Sequence, residues 1–587
     1  MGIRYLQTFM DRKVKGGIYS LRIENEIKNA LKRNQKPLIV IDLMALFGLF
    51  SSDKQSLLCG SQVWLMERKA GEFFERLTKA GAELVFFYDG SVQQIKYETW
   101  VKRQNDKYDR MIDVIDAINR RTPLAQIVEQ CVRKIHNNTQ LKLKRVAMQH
   151  GKCIVSMHVE CDQALAAYAT EHNALAVISH DTDFLIFPGE WQLWSSDHLD
   201  CNELTTRGYN RPALVRTLGL RWPQMAVWAT LAGNDFFTYE EVQPFHQSLG
   251  QHYQIYYKLV EYVRTLPIKN KLQKAAIPSI IARVYKNRPI PADATECFTS
   301  SLTFYQIDEQ SLNANPPMEP MKAFLLEADH QFVYNILTGA RHHFTLYYFD
   351  YRSTEFGNYF EIVKPIISRI GGIILYHHRD ERQHLVVAAQ RSHGESHCVG
   401  DVPATFPNTI TPPPIMELLS PDPDIRARLL DVKLQLLCWV CSDNLLDQLQ
   451  DFLNVPSSLM VTVLVLYRLR QYGVLRIFEA DLLLLIAHQH STGEFDSSQE
   501  PQPDSLLPRA FRLCFLFQKV YTHFARVAKA IGLQREYRPS MPYDGHRFHN
   551  QYRVWNGTRI DEHQLAPIAA WRLYTKAEKA KKNKLKS

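Results

Sequence analysis

Three short runs, apolar at almost every position, end in or beside an acid: Pro37 to Asp42 (PLIVID), Glu83 to Asp89 (ELVFFYD) and Ala174 to Ser179 (ALAVIS), the last followed closely by Asp181 and Asp183. A strand with no polar alternation must be covered on both faces, unlike the strand of a one-sided sheet. Between the first two runs Met66, Ala70, Phe73, Phe74 and Leu77 recur at helical spacing, and a helical stretch from Asp162 to Thr170 precedes the third. Parallel strands require such crossover helices. The first 235 residues therefore predict an α/β fold, a mostly parallel sheet flanked by helices. In sheets of this kind ligands bind beyond the carboxyl ends of the strands, where Asp42, Asp89, Asp181 and Asp183 fall.

Glu160 and Asp162 at a helix start, and Asp235 in the turn Gly233-Asn234-Asp235, bring the set to seven carboxylates. Gathered carboxylates repel one another and lose hydration, so such a cluster persists where cations neutralise it. Hard oxygen donors select magnesium or manganese, so the expected cofactor is Mg2+ or Mn2+. Each acid taken singly is equally well a helix cap or turn residue. The metal reading requires the carboxyl groups of Asp42, Asp89, Glu160, Asp181 and Asp183 to converge.

At 587 residues the chain is too long for one core, and 45% hydrophobic with 22% charged residues provides for several. The net charge of +9 permits a polyanionic partner without requiring one. It is unevenly placed. From Lys96 to Arg145 twelve basic residues face six acids on predicted helices, and Lys102, Arg133, Lys134, Lys142, Lys144 and Arg145 are candidates for nucleic-acid phosphates. The last thirteen residues carry six lysines against Glu578, as either a frayed solvated helix or a nuclear-import or nucleic-acid tail. Ten scattered cysteines and the lack of a signal segment point to a nuclear or cytoplasmic setting. Cys438 and Cys441, inside LQLLCWVC, read as a helical core face rather than a zinc or redox pair. No apolar run is long enough for a bilayer, and Met1-Gly2-Ile3-Arg4-Tyr5-Leu6 lacks the hydroxyl residue of a myristoylation site, so neither membrane span nor lipid anchor is expected.

Further along, residues 251–285 read as helix, and 286–390 as mixed structure with strand-like Phe344 to Phe349 and Gly372 to Tyr376. The proline-rich Arg391 to Asp424 and the polar Ser491 to Pro508 read as exposed connections. Apolar helices from Ile425 to His490 and from Arg509 to Leu533 predict an α-rich carboxyl-terminal module.

The opening Met1-Gly2-Ile3, the strand ending in Asp42, Asp89-Gly90, Glu160-x-Asp162, Asp181-Thr182-Asp183 and Gly233-Asn234-Asp235 together resemble the flap-endonuclease and XPG superfamily of PIN-like nucleases, over roughly residues 1 to 240. The resemblance implies that Asp42, Asp89, Glu160 and Asp162 surround one metal ion and Asp181, Asp183 and Asp235 the other. It implies that Lys96 and Arg103 stabilise the scissile phosphate, that Gly2 lies close to the pocket, and that cleavage leaves a 5′-phosphate and a 3′-hydroxyl. That resemblance and the patterns above together divide the chain into a PIN-like nuclease domain at 1–250 with a basic helical cap at 96–146, a helical and mixed extension at 251–390, a Pro-rich linker at 391–424, an α-rich module at 425–574 and a basic tail at 575–587. The chain departs from the flap endonucleases after Asp235, where Phe236-Phe237-Thr238-Tyr239-Glu240-Glu241 replaces their Gly-x-Gly hairpin, and in Asp162, which shortens the usual glutamate by one methylene.

Trp100-Val101-Lys102-Arg103-Gln104, Leu231-Ala232-Gly233-Asn234-Asp235, Phe245-His246-Gln247-Ser248-Leu249 and Met541-Pro542-Tyr543-Asp544-Gly545-x-x-Phe548 resemble the asteroid and constitutive-coactivator-of-PPAR-gamma branch, more weakly, over most of the chain. Several members of that branch have lost catalytic acids and act as RNA-binding or scaffold proteins, whereas this chain keeps an acid at every metal position. Two functions stay open: a metal-dependent, structure-selective nuclease acting on DNA or RNA, or a catalytically weak or silent relative that binds RNA or protein partners through the basic helices and the α-rich module.

Overall fold

A computed structural model describes residues 2–50, 53–90, 92, 96–131, 135, 140–250, 254–307, 318–344, 346–390, 392–395, 398–494, 496–537, 541–556 and 562–580. The chain divides into two compact units, each discontinuous in sequence. The first comprises Met1–Phe50, Glu67–Trp100 and Thr139–Met318, and the second Ser51–Met66, Val101–Asn138 and Glu319–Ser587. The predicted basic helical region is thus split between them, within the helix Tyr97–Asn119.

The first unit is built on seven strands: β1 (Ile18–Arg22), β2 (Leu38–Asp42), β3 (Glu83–Asp89), β4 (Lys152–Ser156), β5 (Ala176–Ser179), β6 (Gln192–Ser195) and β7 (Thr205–Tyr209). Their order across the sheet is β1-β7-β6-β5-β2-β3-β4. The five central and edge strands β6, β5, β2, β3 and β4 run parallel, while β7 is antiparallel to both β6 and β1. Every residue of β2 and of β5 is buried, as their unbroken apolar runs require. Helices cover the sheet and extend it, among them Cys161–Glu171, Trp222–Ala232, Ile255–Thr265 and Ala294–Phe304, all in the first unit. The α/β class read from the three apolar runs holds, and so does the α-rich region that follows.

The second unit holds a three-stranded sheet ordered β10-β9-β8, with β8 (His342–Phe344) parallel and β10 (Cys398–Pro403) antiparallel to β9 (His384–Ala389). Around it lie the helices Gln331–Thr338, Tyr359–Ile374, Leu430–Cys441, Met460–Gln471, Ile477–Thr492, Pro508–Ala530 and Gly545–Trp555. Three sequence expectations are corrected here. Gly372 to Tyr376 is the end of the helix Tyr359–Ile374 and the turn after it, because the apolar run continues the helical face begun at Ile362. Its glycines serve close packing: a Cβ on Gly372 would lie 1.8 Å from the Thr405 carbonyl oxygen. Of Phe344 to Phe349, the strand keeps Phe344 alone, and 346–349 enters a turn. The proline-rich segment after 391 supplies β10, an edge strand that places Pro403 last, where no ladder donor is lost.

Cys438 and Cys441 are buried on a helix, as expected of a core face. The helix Ile477–Thr492 buries two acids. Glu479 accepts both guanidinium bonds of Arg509, at 2.6 and 2.8 Å, and the Tyr552 hydroxyl at 2.7 Å. Asp481 is held by Arg572, at 2.7 Å twice, and by the Tyr574 hydroxyl at 2.6 Å. Removing one member of such a pair leaves an unmatched buried charge. Glu479→Ala is therefore expected to lower the unfolding free energy by about 3–5 kcal/mol, read as a shift in urea midpoint, while a surface change such as Glu381→Gln, at a side chain 79% exposed, costs roughly 1 kcal/mol or less.

Candidate functional site

Because β5, β2, β3 and β4 are adjacent and parallel, whatever follows their last residues collects along one edge of the sheet. Asp42 closes β2 and Asp89 closes β3. Asp181 and Asp183 follow β5 in the tight turn Thr182–Leu185, and Glu160 and Asp162 open the helix that follows β4. Asp235 comes from the turn after Trp222–Ala232, where Gly233 adopts φ 93°. Strand order reverses about β2, the place where crevices form in open α/β sheets.

The carboxylates act on one another. Burial raises the Asp162 carboxyl well above its ordinary range, and the charges of Asp181, Asp42 and Asp89 raise it further. Asp183 is raised by burial and by Asp181 and Asp235, against the Tyr305 hydrogen bond and Lys96. Asp42 is raised by burial and Asp181, with Ser179 and His180 opposing. Asp89 reaches solvent at the strand end but is walled by protein, and burial, Asp42 and Glu160 push it up to about 6. All seven acids are thus linked through these four groups, Asp235 by way of Asp183 and Glu160 by way of Asp89.

One cation already lies among them. The Lys96 ammonium is 2.5 Å from Glu160 Oε2, over the Phe236 ring at 4.2 Å and the Phe304 ring at 5.2 Å. Burial pulls its pKa down, but Glu160, Asp235 and Asp162 outweigh this and raise it, so the lysine stays charged. Other donors hold the remaining oxygens. Ser179 Oγ donates to Asp42 Oδ2 at 2.8 Å, and the Met44 and Ala45 amides to its Oδ1 at 3.0 and 3.3 Å. The Asp183 amide donates to Asp181 Oδ1 at 2.9 Å, and the Tyr305 hydroxyl to Asp183 Oδ1 at 2.6 Å. Tyr305 in turn accepts from Asn234 Nδ2 at 3.2 Å.

Among the described residues, no three His, Cys, Asp or Glu side chains stand in an arrangement that would hold one metal ion. The expected convergence is therefore electrostatic and topological, and stops short of a formed ligand shell. In chemistry the donor set fits a hard divalent cation, since it is rich in carboxylate and Asp42, Asp89, Asp162 and Asp183 are held above their ordinary pKa by burial and by their negative neighbours. In geometry its oxygens are turned to Ser179, Tyr305, backbone amides and Lys96.

The other predicted residues separate. Gly2 does lie at the pocket: its φ is 70°, and a Cβ there would come 2.2 Å from Asp181 Oδ1, so neither the conformation nor the space admits a side chain. Lys102 and Arg103 belong to the second unit. Arg133 and Lys134 lie outside the described residues, as does the side chain of Lys142. Lys144 is corrected from a phosphate contact to a buried residue, 7% exposed, its ammonium 4.9 Å from the Tyr88 ring centroid. Arg145 pairs with Glu67 at 2.6 Å. Ser179, Cys161, Asn234 and Tyr305 were not singled out as site residues from sequence. Ser179 carries a faint signal as the polar end of an apolar strand; Tyr305, 122 residues beyond Asp183, carries none.

The fold and its edge define an α/β unit with a carboxylate-rich strand edge. No family model matches the chain. It is 29% identical over 200 residues to the constitutive coactivator of peroxisome proliferator-activated receptor gamma of Bos taurus, covering 34% of this chain and 28% of that protein. It is also 29% identical over 202 residues to the Homo sapiens coactivator, with 34% and 21% covered, and 22% identical over 272 residues to the Xenopus tropicalis constitutive coactivator of PPAR-gamma-like protein 1 homolog, with 42% and 25% covered. The likeness to the coactivator branch that the motifs carried is thus a finding, and the matched stretch spans less than a third of these relatives' length. Among solved structures, the catalytic core of Rad2 in complex with DNA substrate matches at TM-score 0.31 and 14% identity over 55% of this chain and 93% of that one. Human GEN1 in complex with Holliday junction DNA matches at TM-score 0.31 and 12% identity over 58% and 79%.

A carboxyl whose folded pKa is raised binds more protons folded than unfolded, so its contribution to stability falls as pH rises from the ordinary carboxylate range through its folded value. Asp183→Asn should therefore stabilise the metal-free protein at pH 7.5 by about 1–2 kcal/mol, and the advantage should shrink as the pH is lowered toward 5. Thermal unfolding of both proteins across that range measures it.

Proposed function

We propose that the first unit is a metal-dependent nuclease that hydrolyses phosphodiester bonds in DNA or RNA. What supports this is the retention of seven carboxylates along one parallel-strand edge, at an electrostatic cost that no structural role explains. Asp42, Asp89, Glu160, Asp162, Asp181, Asp183 and Asp235 would hold two Mg2+ or Mn2+ ions, which when bound supply charge for the scissile phosphate and an activated water. Lys96 holds the positive charge while the crevice is empty of substrate. An incoming phosphate oxygen competes with Glu160 for that ammonium, which frees the glutamate as a ligand and sets the phosphate at the pocket edge. Gly2 keeps the chain start close against Asp181 without crowding it. Phe236 and Phe304 confine the lysine and exclude water from its stem.

A second reading keeps the same crevice without chemistry. It is favoured by the Lys96–Glu160 pair, which neutralises part of the cluster without metal, and by the names of the coactivator relatives, under which the protein would be a nuclear RNA-binding or scaffold protein with partners on its carboxyl-terminal module. No helix among the described residues is long and apolar enough to cross a membrane.

The two readings separate in one experiment. With Mg2+ or Mn2+, purified protein should cut labelled flap, overhang or single-stranded DNA or RNA, and Asp181→Ala should slow this by roughly a thousandfold, about 4 kcal/mol, while leaving substrate affinity unchanged. Lys96→Met should weaken both. Absence of metal-dependent cleavage across all substrates, with binding retained, assigns the protein to the second reading.

A further inference from the structure

The first residues of the chain lead away from the carboxylate edge. Gly2 lies against Asp181, and the Thr182 hydroxyl donates to the Ile3 carbonyl at 3.3 Å. Ile3, 2% exposed, is anchored in the core, and the next two residues, Arg4 and Tyr5, are exposed, Tyr5 by 48%. Two residues of chain span at most about 7 Å, the length of about two nucleotides at the roughly 3.4 Å spacing of one strand. Arg4 therefore stands within a few nucleotides' reach of the acids.

Rings hold Arg4 in place. Its guanidinium carbon lies 4.5 Å from the Tyr239 ring centroid and 5.0 Å from that of Tyr5, and its carbonyl accepts the Tyr256 hydroxyl. Among the described residues no carboxylate pairs with Arg4. A guanidinium stacked on rings keeps its in-plane donors for an anion of fixed geometry, phosphate above all.

The aromatic surface continues from there. Phe9 lies one turn after Tyr5 on the helix Leu6–Lys13, its amide donating to the Tyr5 carbonyl at 3.0 Å. It meets Tyr256 and Tyr257 of the helix Ile255–Thr265 edge-on, at 5.1 and 5.6 Å between centroids. Phe9 and Tyr256 are buried, whereas Tyr257 is 39% exposed. Two part-exposed tyrosines thus flank a buried aromatic pair beside an exposed arginine. Tyr5 also holds φ at 66°, a region that favours glycine over an aromatic residue. A large side chain kept in such a conformation points to a task for its ring.

We propose that Arg4, Tyr5 and Tyr257 form a docking site for an unpaired nucleic-acid strand, in which Arg4 takes a backbone phosphate and the exposed parts of the two tyrosine rings take bases. The proposal deepens the nuclease reading, on which it rests for the course of the strand into the carboxylates, and names the substrate class as single-stranded ends or flaps. Bases stack on aromatic rings whatever their identity. Inside a duplex both faces of a base are already covered by its neighbours, so only an unpaired or terminal base is open to such a ring. Arg4 supplies positive charge to the strand beside a crevice whose acids repel it.

Fluorescence anisotropy of the full chain with labelled oligothymidylate, oligouridylate and a blunt duplex of equal length, in EDTA and again in Ca2+, tests this through binding alone. The native chain should bind the single strands more tightly than the duplex. Tyr5→Gly combined with Tyr257→Ala should weaken single-strand binding about tenfold or more and leave duplex binding unchanged, whereas Tyr5→Phe combined with Tyr257→Phe should bind as the native chain does. Arg4→Gln should weaken single-strand binding roughly threefold or more at low salt and lower the slope of log affinity against log salt by about 0.7. Loss of both rings should leave the thermal midpoint within a few degrees of native, since glycine suits the backbone at position 5 and Tyr257 is part-exposed. A loss on both homopolymers supports a site that reads base and phosphate alone, and a loss on one assigns the site to that sugar. No single-strand binding by the native chain, an equal loss on the duplex, or undiminished binding in the ring-removed protein or in Arg4→Gln overturns the proposal. The nuclease reading is scored separately: a chain that cuts with Mg2+ yet binds single strands undiminished in these variants keeps its chemistry and loses this site, and one that cuts nothing but shows the losses keeps the site.

Discussion

Parallel pairing of β5, β2, β3 and β4 is the constraint on which the first unit's chemistry depends. Parallel strands end on the same side, so acids placed after them cannot avoid one another. The sheet pays for this in repulsion: four of the seven carboxyls are held above their ordinary pKa by burial and by their neighbours. Helix dipoles relieve part of it, since Glu160 and Asp162 stand at the start of Cys161–Glu171, where a negative charge is favoured. Glu160 makes no side-chain cap bond there, so capping does not account for it.

Lys96 is the second element of that balance. Its ammonium, held by Glu160 and confined between Phe236 and Phe304, supplies one positive charge where a metal centre would need more. The same arrangement serves both functional readings: a crevice partly neutralised by its own lysine is stable without metal, and a lysine that a phosphate can draw away makes it responsive to substrate. The second unit follows a different rule. Its buried Glu479 and Asp481 are each matched by an arginine in two-point contact.

How far the sequence could be read depended on how local the signal was. β2, β3 and β5 were legible because each is buried on both faces and so reads as a bare apolar run. β4, β6 and β7 were not, since KCIVS, QLWS and TTRGY are short and polar at their ends, and their place in the sheet rests on neighbours rather than on their own pattern. Gly372 to Tyr376 read as a strand for the opposite reason: an apolar run is common to strands and buried helices, and the tight approach to Thr405 that its glycine permits is invisible locally. Lys144 and Arg145 read as surface charges because composition does not reveal that Tyr88 and Glu67 lie beside them.

By itself the sequence determined the α/β class, the acids at strand ends and the coactivator-like motifs, because each is written in residues close along the chain: apolar periodicity, a carboxylate at the last position of a run, a glycine before a turn. The tertiary structure alone decided which oxygens are engaged. That Tyr305 donates to Asp183, that Lys96 pairs with Glu160, and that the Tyr359 hydroxyl meets His523 all join positions scores of residues apart. Hydrogen bonds and charges act over a few ångströms of space whatever the separation along the chain, so no local pattern could have announced them.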